Sequence, residues 1–315
     1  MRAPSPDQSK PKIPGHRNRW HKDPGGCGDA NGEFLSAHHF AVNKEEGAIG
    51  IRNSLETVLK KYAKEKIAAV GVGFGGPVNR VTGTTESSFH IEGWSGFGLK
   101  DWLQSVTGAP VFIDNDANVA ALGEAVHGAG KDYRQVLYVT LGSGVGGGLV
   151  TDKKIFHGDL PGEIEIGHLQ MDRNGTTLQD LCSGWAVDEM IRKAAKKNRG
   201  SVLAQLAKGQ PSSEAKMLNE ALAAKDPQAI RIFEETTDNF AFGLSHAIHL
   251  LHPQIVVLGG GLSFLGTVLE EAIAKKLPAY LMKTFAPGPP IRLSQLKEKA
   301  VPTGALVLCS QNLLN

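Results

Sequence analysis

QVLYVTLGSGVGGG, residues 135–148, is an apolar, β-branched run that stops abruptly in glycine. A short apolar run closed by a glycine turn reads as a strand buried on both faces. The same pattern recurs on either side. IAAVGVGF at 67–74 runs into Gly75-Gly76-Pro77, and HPQIVVLGGG at 252–261 leads into an apolar helical stretch ending near Lys276. Between the first two lies IDNDANVAALGEAVHG, 113–128, where a strand from Pro110 to Ile113 gives way to an Ala-rich helix with Asn115 and Asp116 at the junction. Buried strands alternating with helices, with polar or glycine residues at the strand ends, specify an α/β chain whose ligands lie beyond the carboxyl ends of the strands.

Bulk properties narrow the class. Glycine supplies 38 of 315 residues without a period of three, which excludes collagen, and so much glycine disfavours long coiled coils. The 34 basic and 32 acidic residues leave a net charge of +2, too little for a whole-protein field that captures nucleic acid. The excess sits at the start, where residues 1–24 hold six basic and two acidic side chains. MRAPSPDQSKPKIPGHRNRW lacks the apolar segment of a secretory signal. Residues 1–22 therefore read as a disordered basic tail, with a nucleic-acid arm as the alternative. Cys27, Cys182 and Cys309 are too sparse for a disulfide framework or a paired-thiolate zinc site, which fits a reducing cytoplasm. No run approaches the ~20 apolar residues of a membrane span.

The remaining elements follow from periodicity and turn signals. Glu45 to Lys66 reads as a helix with Ile49, Leu55, Val58, Leu59 and Tyr62 on its apolar stripe, 78–98 as a long surface loop, and Leu99 to Val106 as a short helix. A hairpin turns at Thr151–Lys154, helices cover 184–198, 214–223 and 227–251, IRLSQL is a further strand, and Gly304–Asn312 is a terminal helix. The expected division is a smaller α/β domain over 23–114, a larger one over 115–302 with a helical insertion, and a terminal helix, 303–315, packing back on the first.

Several residues can carry chemistry. GSGVGGG lacks the Lys-Ser/Thr of a Walker loop and is not followed by the helix of a Rossmann turn, yet clustered backbone N–H groups bind phosphate oxygens; a tight hairpin is the alternative. Gly259-Gly260-Gly261 admits either a flat adenine or a closely packed helix. Asp116, held at a strand-helix junction, can accept a proton from an attacking hydroxyl or simply cap the helix, and Asn115 offers the donor and acceptor that grip a polyol. EIEIGH, 163–168, alternates like a strand with Glu163 and Glu165 on one face. Glu165 and His168 suit sugar hydroxyls, a solvent-facing strand being the plainer reading. Cys182 reads as a small buried hydrophobe.

Taken together, GVGFGGPVN, IDNDANVAALGE, YVTLGSGVGGG, EIGH, SGWA and VVLGGG, spanning Ile67 to Leu308, resemble the ROK family of sugar kinases and repressors, and in particular its glucokinase-like members. The resemblance implies a two-domain actin-like, hexokinase-like (ribonuclease H-like) fold that clasps ATP and sugar. It implies phosphorylation of a hexose, glucose first, at the 6-hydroxyl with Mg²⁺-ATP, polyphosphate being the other donor. Asp116 becomes the general base, Gly76, Asn115, Glu165 and His168 sugar contacts, Gly142, Ser143 and Gly144 the second phosphate loop, and Gly260 and Gly261 the adenosine-side glycines. A homodimer is also implied, without nucleic acid or membrane as partner.

Three departures stand out. The family's first phosphate loop, Asp-x-Gly-Gly-Thr between apolar strands, is met by DPGGC: Asp23, Gly25 and Gly26 match, Cys27 replaces threonine, and neither flank reads as a strand. The resemblance leaves no assigned metal ligand, with Asp23 a weak match that could meet Mg²⁺ through ATP, and a change of reading frame is one origin of such a damaged hairpin. The zinc-binding cysteines of many members are missing from MDRNGTTLQDLCSGW, so no structural zinc is expected. Gln179 stands where a sugar-contacting glutamate is usual. A sugar-sensing or scaffold protein of the same fold is the competing reading, and a repressor is disfavoured because no winged-helix module precedes the first strand.

Overall fold

A computed structural model describes residues 13–17, 23–28, 34–40, 46–62, 67–86, 91–160, 162, 164–210 and 213–314. The chain divides into two compact units, residues 1–128 with 154–163 and 298–315, and residues 129–153 with 164–297. The boundary thus follows Gly128, whereas the sequence places it before Asn115. The helix that opens at Asp116 stays with the strand that delivers it.

The first unit runs β1 (Ile13–Arg17), β2 (Asp23–Gly28), β3 (Phe34–Phe40), α1 (Gly47–Lys61) and β4 (Val70–Phe74). It continues through the two-residue strands β5 (Val78–Asn79), β6 (Thr84–Thr85) and β7 (Phe97–Gly98) to α2 (Leu99–Thr107), β8 (Val111–Asn115) and α3 (Asp116–His127). The main sheet has the order β3-β2-β1-β4-β8. Its first three strands are antiparallel, and β1, β4 and β8 run parallel. Parallel strands buried on both faces need unbroken apolarity, and VGVGF in β4 is buried throughout.

Three expectations need correction here. Ile13–Arg17 is a strand, not tail, and DPGGC lies inside β2, where Gly25 pairs with His16 and with His38. IPGHR and DPGGCG show no apolar alternation, and their pairing, β1 with β4 and β2, and β2 with β1 and β3, is therefore not written in local propensity. Residues 1–12 and 18–22, the rest of the assigned tail, lie outside the described residues. In α1 the buried face is Ala48, Ile51, Leu55 and Leu59, whereas Ile49 is 61% exposed. Finally, the described residues of 78–98 include three short strands rather than loop alone. Strands β5, β6 and β7 form a small sheet over Trp94, whose ring meets Phe74 and Phe97 edge-on with centroids 5.6 and 5.5 Å away. Trp94 is 1% exposed, and the Arg52 guanidinium lies 4.4 Å over the Phe97 ring. Two-residue strands are too short to leave a period in the sequence.

The second unit opens with β9 (Gln135–Leu141) and β10 (Val145–Thr151). The chain revisits the first unit in β11 (Lys154–Ile155). It then builds α4 (Leu178–Cys182), α5 (Gly184–Lys197), α6 (Val202–Ala207), α7 (Leu218–Ala223), α8 (Pro227–Leu251), β12 (Ile255–Gly259), α9 (Thr267–Lys276) and β13 (Ile291–Leu293). β10 is antiparallel to β9, which is parallel to β12, itself parallel to β13. Leu137, Val139, Val256, Leu258, Phe240 and Leu244 meet in the core between this sheet and α8. Helix α8 shows why its limits are readable. Asp226 caps it by accepting from Gln228 N at 2.8 Å and Ala229 N at 3.0 Å, and Pro227 occupies the first turn. His252 then turns left-handed, φ 51°, before Pro253.

The chain ends in α10 (Ala300–Leu313), which rejoins the first unit against α3 and β4. Small residues make that packing close: a Cβ on Gly71 of β4 would overlap Ala305, and one on Gly123 of α3 would overlap Ala300. No helix among the described residues is long and apolar enough to cross a membrane.

Candidate active site

Each unit carries a cluster at the carboxyl ends of its parallel strands. In the first, β8 delivers Asn115 in extended conformation and α3 begins at Asp116. The Asn115 side chain is the helix cap: Oδ1 accepts from Ala117 N at 2.8 Å and Asn118 N at 3.4 Å. Its Nδ2 donates to the Gly76 carbonyl at 3.3 Å, so two residues assigned to sugar binding from sequence are brought together. The choice between cap and base at Asp116 is thereby resolved at the level of capping. Asn115 does the capping, and the Asp116 carboxylate makes no hydrogen bond among the described residues.

Asp114, one residue earlier, was not singled out in the sequence. It is 4% exposed, with Oδ1 accepting from Asn115 N at 2.8 Å and Asn118 Nδ2 at 2.9 Å. Oδ2 accepts from His157 Nε2 at 2.6 Å. The available signal was a carboxylate closing the otherwise apolar VFID, since buried charge demands partners.

In the second unit, Gly142, Ser143 and Gly144 form the turn from β9 to β10, and Gly142 N donates to Gly144 O at 2.9 Å. The loop is narrower than GSGVGGG suggested, because Gly146, Gly147 and Gly148 belong to the β10 ladder. Gly142 O accepts from Gly184 N at 2.7 Å, which ties the loop to the start of α5. Gln179 of α4 borders it: a Cβ on Gly144 would stand 3.2 Å from Gln179 Oε1. β12 is the parallel neighbour of β9, with Gly259 opposite Thr140, so the glycines after β12 lie beside this loop. Their roles separate. Gly260 has φ 82° and would drive a Cβ into the Leu141 backbone, whereas a Cβ on Gly261 would meet nothing within 4 Å. Close packing explains the first; the second leaves an open backbone face fit for a flat ligand. The Gly142 amide closes the turn, and the amides of Ser143 and Gly144, with the bare edge at Gly261, suit a nucleotide polyphosphate.

Glu165 and His168 are both exposed but not on a strand. Ile164 is left-handed, φ 55°, and Ile166–His168 is a single 3₁₀ turn in which His168 N donates to Glu165 O at 2.9 Å. Gly167 packs on Val145 O so tightly that any Cβ would overlap it, which bends the segment out of extended form. Glu163 lies outside the described residues. Asp23, Gly25 and Gly26 sit within the paired strand β2, and the β1–β2 connection at 18–22 lies outside the described residues. Among the described residues no three His, Cys, Asp or Glu side chains group to hold a metal. Burial pushes the thiols of Cys182 and Cys309 far above their ordinary range, so neither is a nucleophile.

The ROK family pattern matches residues 22–312. The chain belongs to the ROK family. A glucokinase from Thermotoga maritima is 31% identical over 271 residues, covering 84% of this chain and 86% of that protein. The ROK family glucokinase structure from Streptomyces griseus, in complex with glucose and AMPPNP, superimposes with a TM-score of 0.83 at 28% identity over 95% of this chain and 99% of that one. The family also reaches regulators: a putative xylose repressor from Caldicellulosiruptor is 25% identical over 300 residues, covering 90% of this chain and 74% of the repressor. The actin-like, hexokinase-like α/β fold implied by the sequence motifs is the fold found.

Proposed function

We propose that this ROK-family sugar kinase transfers the γ-phosphoryl group of ATP to the 6-hydroxyl of a hexose, with glucose as the first substrate to test. The observation that carries the reading is the division of labour at the β8–α3 junction, where Asn115 caps the helix and leaves the Asp116 carboxylate to act on a ligand. Asp116 accepts the hydroxyl proton as the sugar oxygen attacks the γ-phosphorus, the bond to the bridging oxygen breaks, and ADP leaves with that electron pair. Asn115 and Gly76 hold the sugar in the first unit, and Glu165, His168 and Gln179 keep the sugar-contacting roles that the family resemblance implies. Backbone amides at Ser143 and Gly144 orient the phosphates, Gly142 sets the turn that presents them, and Gly260-Gly261 receive the adenosine. Mg²⁺, brought in by ATP, would spread the charge of the phosphates. Asp23, Gly25 and Gly26 take no part in the proposal, because they sit in the β2 ladder. The glucokinase relatives and the glucose- and AMPPNP-bound neighbour support the choice of sugar and donor.

The test is product formation from a panel of hexoses with Mg-ATP or polyphosphate, with Asp116→Asn as control. The variant is expected to lose ~10²–10⁴-fold in turnover while keeping its hexose affinity and melting temperature. Unchanged turnover removes Asp116 as the base. A homodimer belongs to the same proposal and is read by light scattering. The second reading, a sugar sensor without transfer, draws on Cys27 in place of threonine and on the repressor relative. Hexose binding with no Mg-ATP binding would favour it.

A further inference from the structure

We propose that His157 is a positioning residue for the sugar-binding junction, acting through Asp114. The proposal rests on the kinase reading above. His157 lies in residues 154–163, the segment with which the chain returns briefly to the first unit. That segment is fastened twice: Arg80 Nη2 donates to Gly158 O at 2.9 Å, and His157 Nε2 donates to Asp114 Oδ2 at 2.6 Å.

A carboxylate 4% exposed at the end of an apolar strand is costly to bury, and a leucine there would pack without that cost. What the carboxylate supplies is geometry. One oxygen accepts from the backbone N–H of Asn115 and from the side chain of Asn118, and so grips the chain on both sides of Asp116. Its other oxygen is held by His157. Asn115 is thus braced from two directions, through its own amide by Asp114 and through its side chain by the Gly76 carbonyl. If the imidazole is removed, Asp114 can rotate, the Asn115 amide loses its fixed acceptor, and the polyol-gripping side chain loses its register. Small misplacements of positioning groups are amplified in binding and rate.

The experiment compares wild type, His157→Ala, His157→Gln and Asp114→Asn. It reads KM and kcat for hexose, hexose affinity by calorimetry without nucleotide, and the thermal melt. Expected is a ~10-fold rise in hexose KM and dissociation constant for His157→Ala, a smaller change in kcat, and recovery to within ~3-fold in His157→Gln, whose amide still donates. Asp114→Asn, which keeps the shape but not the charge, is expected to weaken hexose binding as His157→Ala does, and serves if the alanine variant fails to fold. A lowered melting temperature with unchanged KM, or equal losses in the alanine and glutamine variants, overturns the proposal. If the wild type binds hexose but transfers no phosphate, the kinase reading falls alone and calorimetry still decides on His157. A wild type that binds no hexose overturns both.

Discussion

Gly304 of α10 lies directly on Gly123 of α3: a Cβ built on Gly304 would stand 3.0 Å from Gly123 N and would overlap Val119 O. Helix propensity alone favours Gly→Ala by about 1 kcal/mol in a helix interior. The contact reverses that sign. Gly304→Ala is expected to destabilise the protein by about 1–3 kcal/mol, measured as a lower urea midpoint with unchanged slope.

The glycines after β12 separate by substitution. Gly261→Ala meets open space and is expected to fold like wild type, raising the KM for ATP while hexose affinity stays constant. Gly260→Ala, at φ 82° and against the Leu141 backbone, is expected to lower the melting temperature first. Equal ATP affinity in wild type and Gly261→Ala would place the nucleotide elsewhere.

Asp226 predicts a pH dependence. Burial opposes its charge, but the amides of Leu203, Ala229, Gln228 and Val202 outweigh that and hold its carboxyl below the ordinary 3.8. A lowered folded-state value contributes stability that is fully present above 3.8 and is lost as pH falls through the folded value. Asp226→Ala is therefore expected to cost about 2 kcal/mol at pH 7, and the gap to wild type should narrow under acid. A gap independent of pH would mean that the charge contributes nothing.

β1 and β2 pair as a hairpin, yet IPGHR and DPGGCG lack apolar alternation. The genetic code offers an account. Trp20 and His21 require TGG followed by CAC or CAT, and the triplet starting one base into the tryptophan codon is then GGC, glycine. The next three shifted triplets, fixed by His21, Lys22, Asp23 and Pro24, allow only threonine or isoleucine, lysine or arginine, then isoleucine or threonine. The shifted triplets before them permit an acidic residue, an isoleucine and a glycine. One base downstream, codons 14–24 are thus expected to spell an apolar strand, a Gly-Gly-Thr turn and a second strand. Sequencing the gene checks this, and shifted triplets that give valine for the first glycine or isoleucine for threonine would remove it.

Strand-to-helix junctions were legible because their signals are local. Asn115 and Asp116 stood out through an apolar strand meeting an Ala-rich helix, and α8 through Asp226-Pro227 at one end and His252-Pro253 at the other. What escaped depends on distant partners. Trp94 is enclosed by strands of two residues, Glu165 and His168 follow a left-handed Ile164, and one oxygen of Asp114 is held by a histidine 43 positions away. In α1, the exposed Ile49 beside the buried Ile51 shows that hydrophobicity finds a helix more reliably than its inward face.

The placement of α10 sets an order of events. Gly71 of β4 and Gly123 of α3 present bare backbone against which this helix packs, and it leaves the ribosome after both. The second unit has all its residues by 297. During synthesis the first unit to begin is therefore the last to close, and until then its central parallel strand lies open to whatever apolar surface a chaperone or a neighbouring nascent chain brings.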